Sequence, residues 1–208
     1  MLKLTAGRRI LALVAALLVA ACGTAPAAID RYDFGVTPAR SAGNVLANAG
    51  TADVIVLAPV WLDTPSVLYR LGYVDASQLH EYAQTRWVAA PSRLVEQALM
   101  DAGAGNAPPA CADASTAGRL EVTLQEFSQD FDSPQSSHVI LRARARLLAA
   151  HSHALIAQRQ FDLRAAAATP DGPGAVHGLG ELAHAFAASA LAWVASCPPA
   201  ISAATPTR

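Results

Sequence analysis

Between Arg9 and Cys22 the chain passes through Ile10–Ala21 without a single polar side chain. No other segment constrains the fold as strongly. A run of roughly 12 residues makes roughly 18 Å of helix, whereas a bilayer core takes about 20 apolar residues. Lys3, Arg8 and Arg9 precede it and no acid does. A basic start, a short apolar middle and a small-residue exit have the form of an export signal rather than of a buried core helix. The folded part is therefore expected to begin after this segment and to mature outside the cytoplasm. No second apolar stretch of spanning length follows.

The exit, Leu18-Val19-Ala20-Ala21-Cys22-Gly23, is similar to the bacterial lipobox. Small side chains fit the peptidase before the cut, and only a thiol can accept diacylglycerol as a thioether. Residues 1–21 are then a lipoprotein signal peptide, Cys22 is the lipidation site, and residues 22–28 are a tether. Several acyl chains anchor firmly, at about 0.8 kcal/mol per buried methylene. Gly23, rather than Asp, after the cysteine favours the outer membrane, periplasmic face, under enterobacterial sorting rules. Ordinary cleavage with Cys22 left as a free thiol is the competing reading.

Losing the leader removes Lys3, Arg8 and Arg9, so every remaining cation is an arginine, set against 16 acidic residues. Such a domain has no electrostatic reason to seek nucleic acid. Its length suits one domain with a full core. Cys111 and Cys197 remain after Cys22. In an exported protein they form a disulfide candidate. The long loop it would close corresponds to roughly 4–5 kcal/mol in the chain-entropy model; two separate thiols are the alternative.

Periodicity then sets the elements. Ile29–Val36 reads as a first strand and 37–51 as a loop. Ala52–Val60 is β-branched enough for a strand buried on both faces, with Pro59 near its end. Ser66–Tyr73 reads as a short strand and Gln78–Val88 as extended or partly helical. Pro91 suits the first turn of a helix that runs to Asp101, with Leu94, Val95, Ala98 and Leu99 on one face. A Gly-, Ala- and Pro-rich loop spans 102–118. Strands follow around Leu120–Leu124, Val139–Leu147 and Leu155–Leu163, separated by turns at Ser133-Pro134-Gln135-Ser136 and Ala149–His153. Two sequential turns imply an antiparallel meander. After a loop over Ala165–Ala175, Leu179, Leu182, Phe186, Ala190 and Trp193 mark a closing helix. The expected fold is a single α+β domain over 29–197. It has a mixed or antiparallel sheet, a C-terminal three-strand meander and two main helices packed on the sheet. The tail 198–208 is expected to be disordered.

Chemistry-bearing motifs are sparse. No nucleophile elbow, P-loop or H-E-x-x-H occurs, so the chain reads as non-enzymatic, with no catalytic residue, metal site or cofactor. His151 and His153 sit at a turn without a third ligand. His177, Glu181 and His184 share a helical face that reads as solvated. Asp130 and Asp132 suit a turn better than a calcium loop. Arg142, Arg144 and Arg146 point to one side of a strand. They could hold acidic groups or phosphates, or pair with acids of a neighbouring strand such as Glu121, and the second reading is favoured. Trp61 and Tyr69 are either core or a partner surface.

Two blocks carry a resemblance. Val54–Arg70 runs from a hydrophobic strand through Pro59-Val60-Trp61-Leu62-Asp63-Thr64-Pro65 into Val67-Leu68-Tyr69-Arg70. Tyr82–Pro91 carries Trp87 and leads into a helix. Both are similar to the ABC-type transport auxiliary lipoprotein component family, of the PqiC type. The resemblance implies a non-enzymatic docking subunit. Its partners would be a periplasmic MCE-domain protein and its ABC permease and ATPase, in a system that moves lipids between membranes. It makes Trp61, Asp63, Tyr69, Arg70 and Trp87 candidate partner contacts. It also leaves room for a ring-like homo-oligomer, because MCE proteins form rings. The competing readings are an outer-membrane lipoprotein that regulates a peptidoglycan synthase and a lipid-anchored hydrolase. The first usually needs a longer tether than residues 22–28 supply.

Overall fold

The computed structural model describes residues 28–35, 53–103, 117–149 and 152–196. Cys22, Cys111, Cys197 and His151 lie outside the described residues, and with them the expected signal peptide, all of the expected tether but Ala28, both cysteines of the candidate disulfide and the expected C-terminal tail. Among the described residues seven strands form one sheet: β1 (Asp30–Tyr32), β2 (Asp53–Leu57), β3 (Ser66–Leu71), β4 (Ala76–Trp87), β5 (Ala117–Ser133), β6 (Ser136–Ala149) and β7 (Leu155–Ala166). The helices are α1 (Gly72–Asp75), α2 (Pro91–Gly103) and α3 (Gly172–Ala195). The expected single α+β domain is observed.

The spine is the antiparallel pair β5–β6, whose hairpin closes at Ser133–Ser136 around Pro134-Gln135. Strand alternation puts Leu120, Val122 and Leu124 on one face of β5. A bulge between Leu124 and Glu126 then shifts the phase by one residue. Phe127, Gln129 and Phe131 continue on the same face. Val139, Leu141, Ala143, Ala145 and Leu147 of β6 lie opposite them, all buried. The α3 helix covers this face with Leu179, Ala183, Phe186 and Ala190. It lies so close to β6 that a Cβ on Gly178 would come within 2.9 Å of Val139.

The remaining strands complete a mixed sheet in the order β1-β4-β3-β5-β6-β7. Because β6 occupies one whole edge of β5, both β2 and β3 lie along the other. Each runs parallel to β5, at Arg119–Thr123 and at Ser128–Asp130 respectively. They behave as one strand interrupted by residues 58–65. This corrects the reading of β2 as a strand buried on both faces: of its residues only Val56 is buried. Its free edge is met by α2, where Glu96 accepts a hydrogen bond from the Val56 backbone N–H at 3.4 Å.

Two further differences have local causes. Residues 78–87 are extended throughout, because β4 pairs with β3 on one side and with β1 on the other. The closing helix starts at Gly172, inside the segment expected to be loop. Asp171 caps it by accepting from Gly174 N at 2.8 Å, and Pro173 stands in the first turn, where its missing N–H costs nothing.

A buried polar network joins the sheet to this helix start. Tyr82 donates to Gln129 Oε1 at 2.5 Å. Gln129, fully buried, donates to Ser137 Oγ at 2.8 Å and to the Thr169 carbonyl at 3.3 Å. Burial, then the neighbouring Tyr69 and Asp171, push the Tyr82 phenol well above its ordinary value. The unfolded chain ionises first, so the stability from this group is complete below pH ~10 and is lost as pH rises beyond it. Tyr82→Phe is expected to cost about 1–3 kcal/mol at pH 7 by leaving Gln129 Oε1 unsatisfied. In thermal unfolding followed from pH 7 to 11, the variant should lose less further stability than the parent protein.

Candidate interaction surfaces

The turn over residues 58–65 is pinned from within. The Pro59 carbonyl accepts from Leu62 N at 2.8 Å and from Asp63 N at 2.9 Å. Leu62 is fully buried, and Asp63 accepts a 2.6 Å hydrogen bond from Ser92 Oγ in the first turn of α2. With Leu62 inside and Asp63 tied to the helix, the tip residues are thrown outward. Val60 is 93% exposed and Trp61 43%. Large apolar side chains held in the open on a braced turn supply contact area at low ordering cost, as partner-binding anchors do.

The other candidate contacts sit differently. Tyr69 is half-buried, stacked on His80 at 5.1 Å and packed against Tyr82 and Phe131. Arg70 bridges to Glu126 at 3.2 Å. Trp87 is fully buried, edge-on to Phe34 at 5.3 Å and tilted against Phe127 at 5.7 Å. Its ring belongs to the core, so it offers no surface to a partner. Asp63 spends one carboxylate oxygen inside the fold. Trp61 is thus the candidate that stands free. Its neighbour Val60, more exposed still, was hidden in the sequence inside a β-branched run that read as strand.

The face of the sheet opposite α3 is polar. Arg146 pairs with Glu121 at 2.8 Å and Arg142 with Asp162 at 3.1 Å, in line with the expectation of pairing to neighbouring strands. Arg144 lies between them, level with Thr123 and Gln160, and makes no ion pair among the described residues. Such exposed pairs contribute little, about 0–1 kcal/mol each.

Lower on the same face His138 is buried, a position that alternation alone did not single out. Its Nδ1 lies 3.0 Å from Asp132 Oδ2 and 2.8 Å from Arg164 Nη2. Its Nε2 faces Asp130 at 3.7 Å without a hydrogen bond, and Asp130 Oδ1 is likewise buried and unpartnered. The two residues line a cavity of about 320 Å³, although these two atoms are themselves sealed from solvent. A second cavity of about 480 Å³ lies between β1 and α3, past Arg31, Phe34 and His184. His184 Nε2 lies 3.0 Å from the Phe34 carbonyl, while His177 and Glu181 form an exposed 3.3 Å pair. Among the described residues no group of three His, Cys, Asp or Glu side chains is arranged to hold a metal. No described helix is long and apolar enough to cross a membrane.

A family model for the ABC-type transport auxiliary lipoprotein component matches residues 40–190. The chain belongs to this family. Auxiliary lipoproteins of this kind are transport components rather than members of a known enzyme family. No curated protein matches the chain. Among solved structures, a Xanthomonas campestris protein of the DUF330 family is similar in fold, with 13% identity and a TM-score of 0.58 over 70% of this chain and 83% of that one. An uncharacterized protein is similar at 18% identity and a TM-score of 0.57, over 81% of this chain and 99% of the other. Within the auxiliary lipoprotein, the Pro-x-aromatic-Leu-Asp segment is divided in its roles: Pro59, Leu62 and Asp63 build the turn, and the residues between them are displayed.

That division is measurable. Trp87→Ala is expected to destabilise the protein by about 3–5 kcal/mol, as truncation of a buried aromatic does. Trp61→Ala should change stability by no more than about 1 kcal/mol. Urea denaturation of the two variants decides the assignment.

Proposed function

We propose that this auxiliary lipoprotein is the outer-membrane end of an MCE-type ABC system for intermembrane lipid transport. Cys22 anchors it to the periplasmic face of the outer membrane, and residues 22–28 tether the domain. Cys111 and Cys197 form a disulfide suited to that oxidising compartment. The folded domain docks onto the periplasmic MCE protein, whose permease and ATPase lie in the inner membrane.

One observation carries this reading beyond the family assignment: Val60 and Trp61 project from a turn that the fold itself braces. A docking subunit needs such a fixed apolar anchor, and a catalyst does not. Association would cover the two side chains, which are exposed among the described residues. The unpaired Arg144 and the ion pairs around it give the opposite face a polar surface suited to solvent or to the rim of a contact.

The test is a crosslinked pull-down of the full lipoprotein from membranes, with partners read by mass spectrometry. An MCE-domain protein and its permease are expected. Val60→Asp combined with Trp61→Ala should weaken that association by about 2 kcal/mol, roughly thirty-fold in Kd, with the melting temperature unchanged. Recovery of a penicillin-binding protein instead would sink the transport reading.

A further inference from the structure

The sheet has two ends, and β1 starts between them, level with Thr85 of β4 and close to the Arg86–Ser66 pair. β1, β4 and β6 run in one direction and β2, β3, β5 and β7 in the other. β1 therefore points away from the end where β3 and β5 finish and β4 and β6 begin. That end carries α1 and the hairpin tip Pro134-Gln135, whereas α3 starts further along the sheet, against Thr85.

Its most exposed apolar residues are on α1. Tyr73 is 46% exposed, Val74 is 68% exposed, and no residue of this short helix is buried. The helix is nevertheless held in place. Leu71 and Asp75 are bridged across it, and Asp75 accepts from both the amide and the hydroxyl of Ser77 at 2.8 and 2.6 Å. A Cβ at Gly72 would lie 2.5 Å from Asp130 Oδ1, so the helix sits directly against β5. Beside it opens a cavity lined by Asp130, Asp132, His138 and Arg164, of which Asp132 and Arg164 are more than half exposed. A carboxylate and a guanidinium in reach of solvent thus stand next to two apolar side chains.

We infer that this end of the domain rests on the phospholipid surface that holds the anchor, with Tyr73 and Val74 at the boundary between headgroups and acyl chains. The inference depends on the proposed lipidation of Cys22. Its geometric basis is reach. From Cys22 to Asp30 the chain spans at most about 26–29 Å. Asp30 is level with Thr85, next to the Arg86–Ser66 pair. From there β3 runs five residues to Leu71, about 16 Å along the sheet. A tether of that length suffices for the distance in the direction from which β1 runs. The opposite end lies about 20 Å the other way along β5, and the tether would have to reverse direction to bring it to the membrane. A tyrosine suits the interface because its ring is apolar and its hydroxyl stays wet. The cavity beside it offers hydrogen-bonding groups at headgroup level, where an ammonium or phosphate could meet them.

The occupant is identified by photocrosslinking in the full lipoprotein, made in cells and left in its own membrane. p-Benzoylphenylalanine replaces Val74 in one version and Val60 in another. Both positions are exposed, so neither replacement touches the core. After irradiation, intact mass reads what is attached at each site, and the same spectra report the acyl chains on Cys22. Phospholipid adducts at position 74, at least ten-fold in excess over position 60, are expected. An acylated Cys22 with equal lipid adducts at both positions, with lipid only at position 60, or with protein rather than lipid captured at position 74, overturns the orientation and leaves the anchor standing. A Cys22 without acyl chains overturns the anchor itself and the orientation with it.

Discussion

Everything in this domain is referred to one pairing, that of β5 with β6. The two strands run together from Ala117 to Ala149 and meet in a two-residue turn. Because β6 takes one full edge of β5, the other is left for β2 and β3 in succession. Because alternate residues of the pair face the same way, one side becomes the core that α3 covers. The bulge after Leu124 preserves that sidedness along strands that would otherwise drift out of phase. The result is a sheet with an apolar face buried under a small-residue helix and a polar face cross-linked by arginine and carboxylate pairs.

Much of this was legible in the sequence. Strict alternation over Leu120–Leu124 and Val139–Leu147, with Ser133–Ser136 between, determines both the hairpin and the face on which the arginines stand. The spacing of Leu179, Leu182, Phe186, Ala190 and Trp193 likewise determines the buried stripe of α3. Two places resisted. Pro170-Asp171-Gly172-Pro173-Gly174 has the composition of a turn, yet Asp171 caps a helix that begins within it. Capping depends on where a side-chain oxygen points, which composition does not record. The extended course of β4 depends on two partners distant in sequence, β1 and β3.

The aromatic residues show the same limit more sharply. Trp61 and Trp87 each stand four residues before a proline, Pro65 and Pro91, and that spacing does not tell which of them is buried. Trp87 is buried because Phe34 and Phe127 come together from 53 and 40 positions away. Trp61 is exposed because its neighbour Leu62 takes the interior place. His138 and Asp130, alone in their separate strands, become neighbours only through the β5–β6 register.

The braced turn at 58–65 bears on how such a protein changes over time. Its framework is Pro59, Leu62 and Asp63, fixed by backbone hydrogen bonds, burial and Ser92. Val60 and Trp61 take no part in that framework. Substitutions at these two positions are therefore nearly free of any folding penalty, and under the proposed docking role drift there is filtered by recognition alone. A gene duplicate could acquire a new partner by altering two codons while its core, register and helix packing stay as they were.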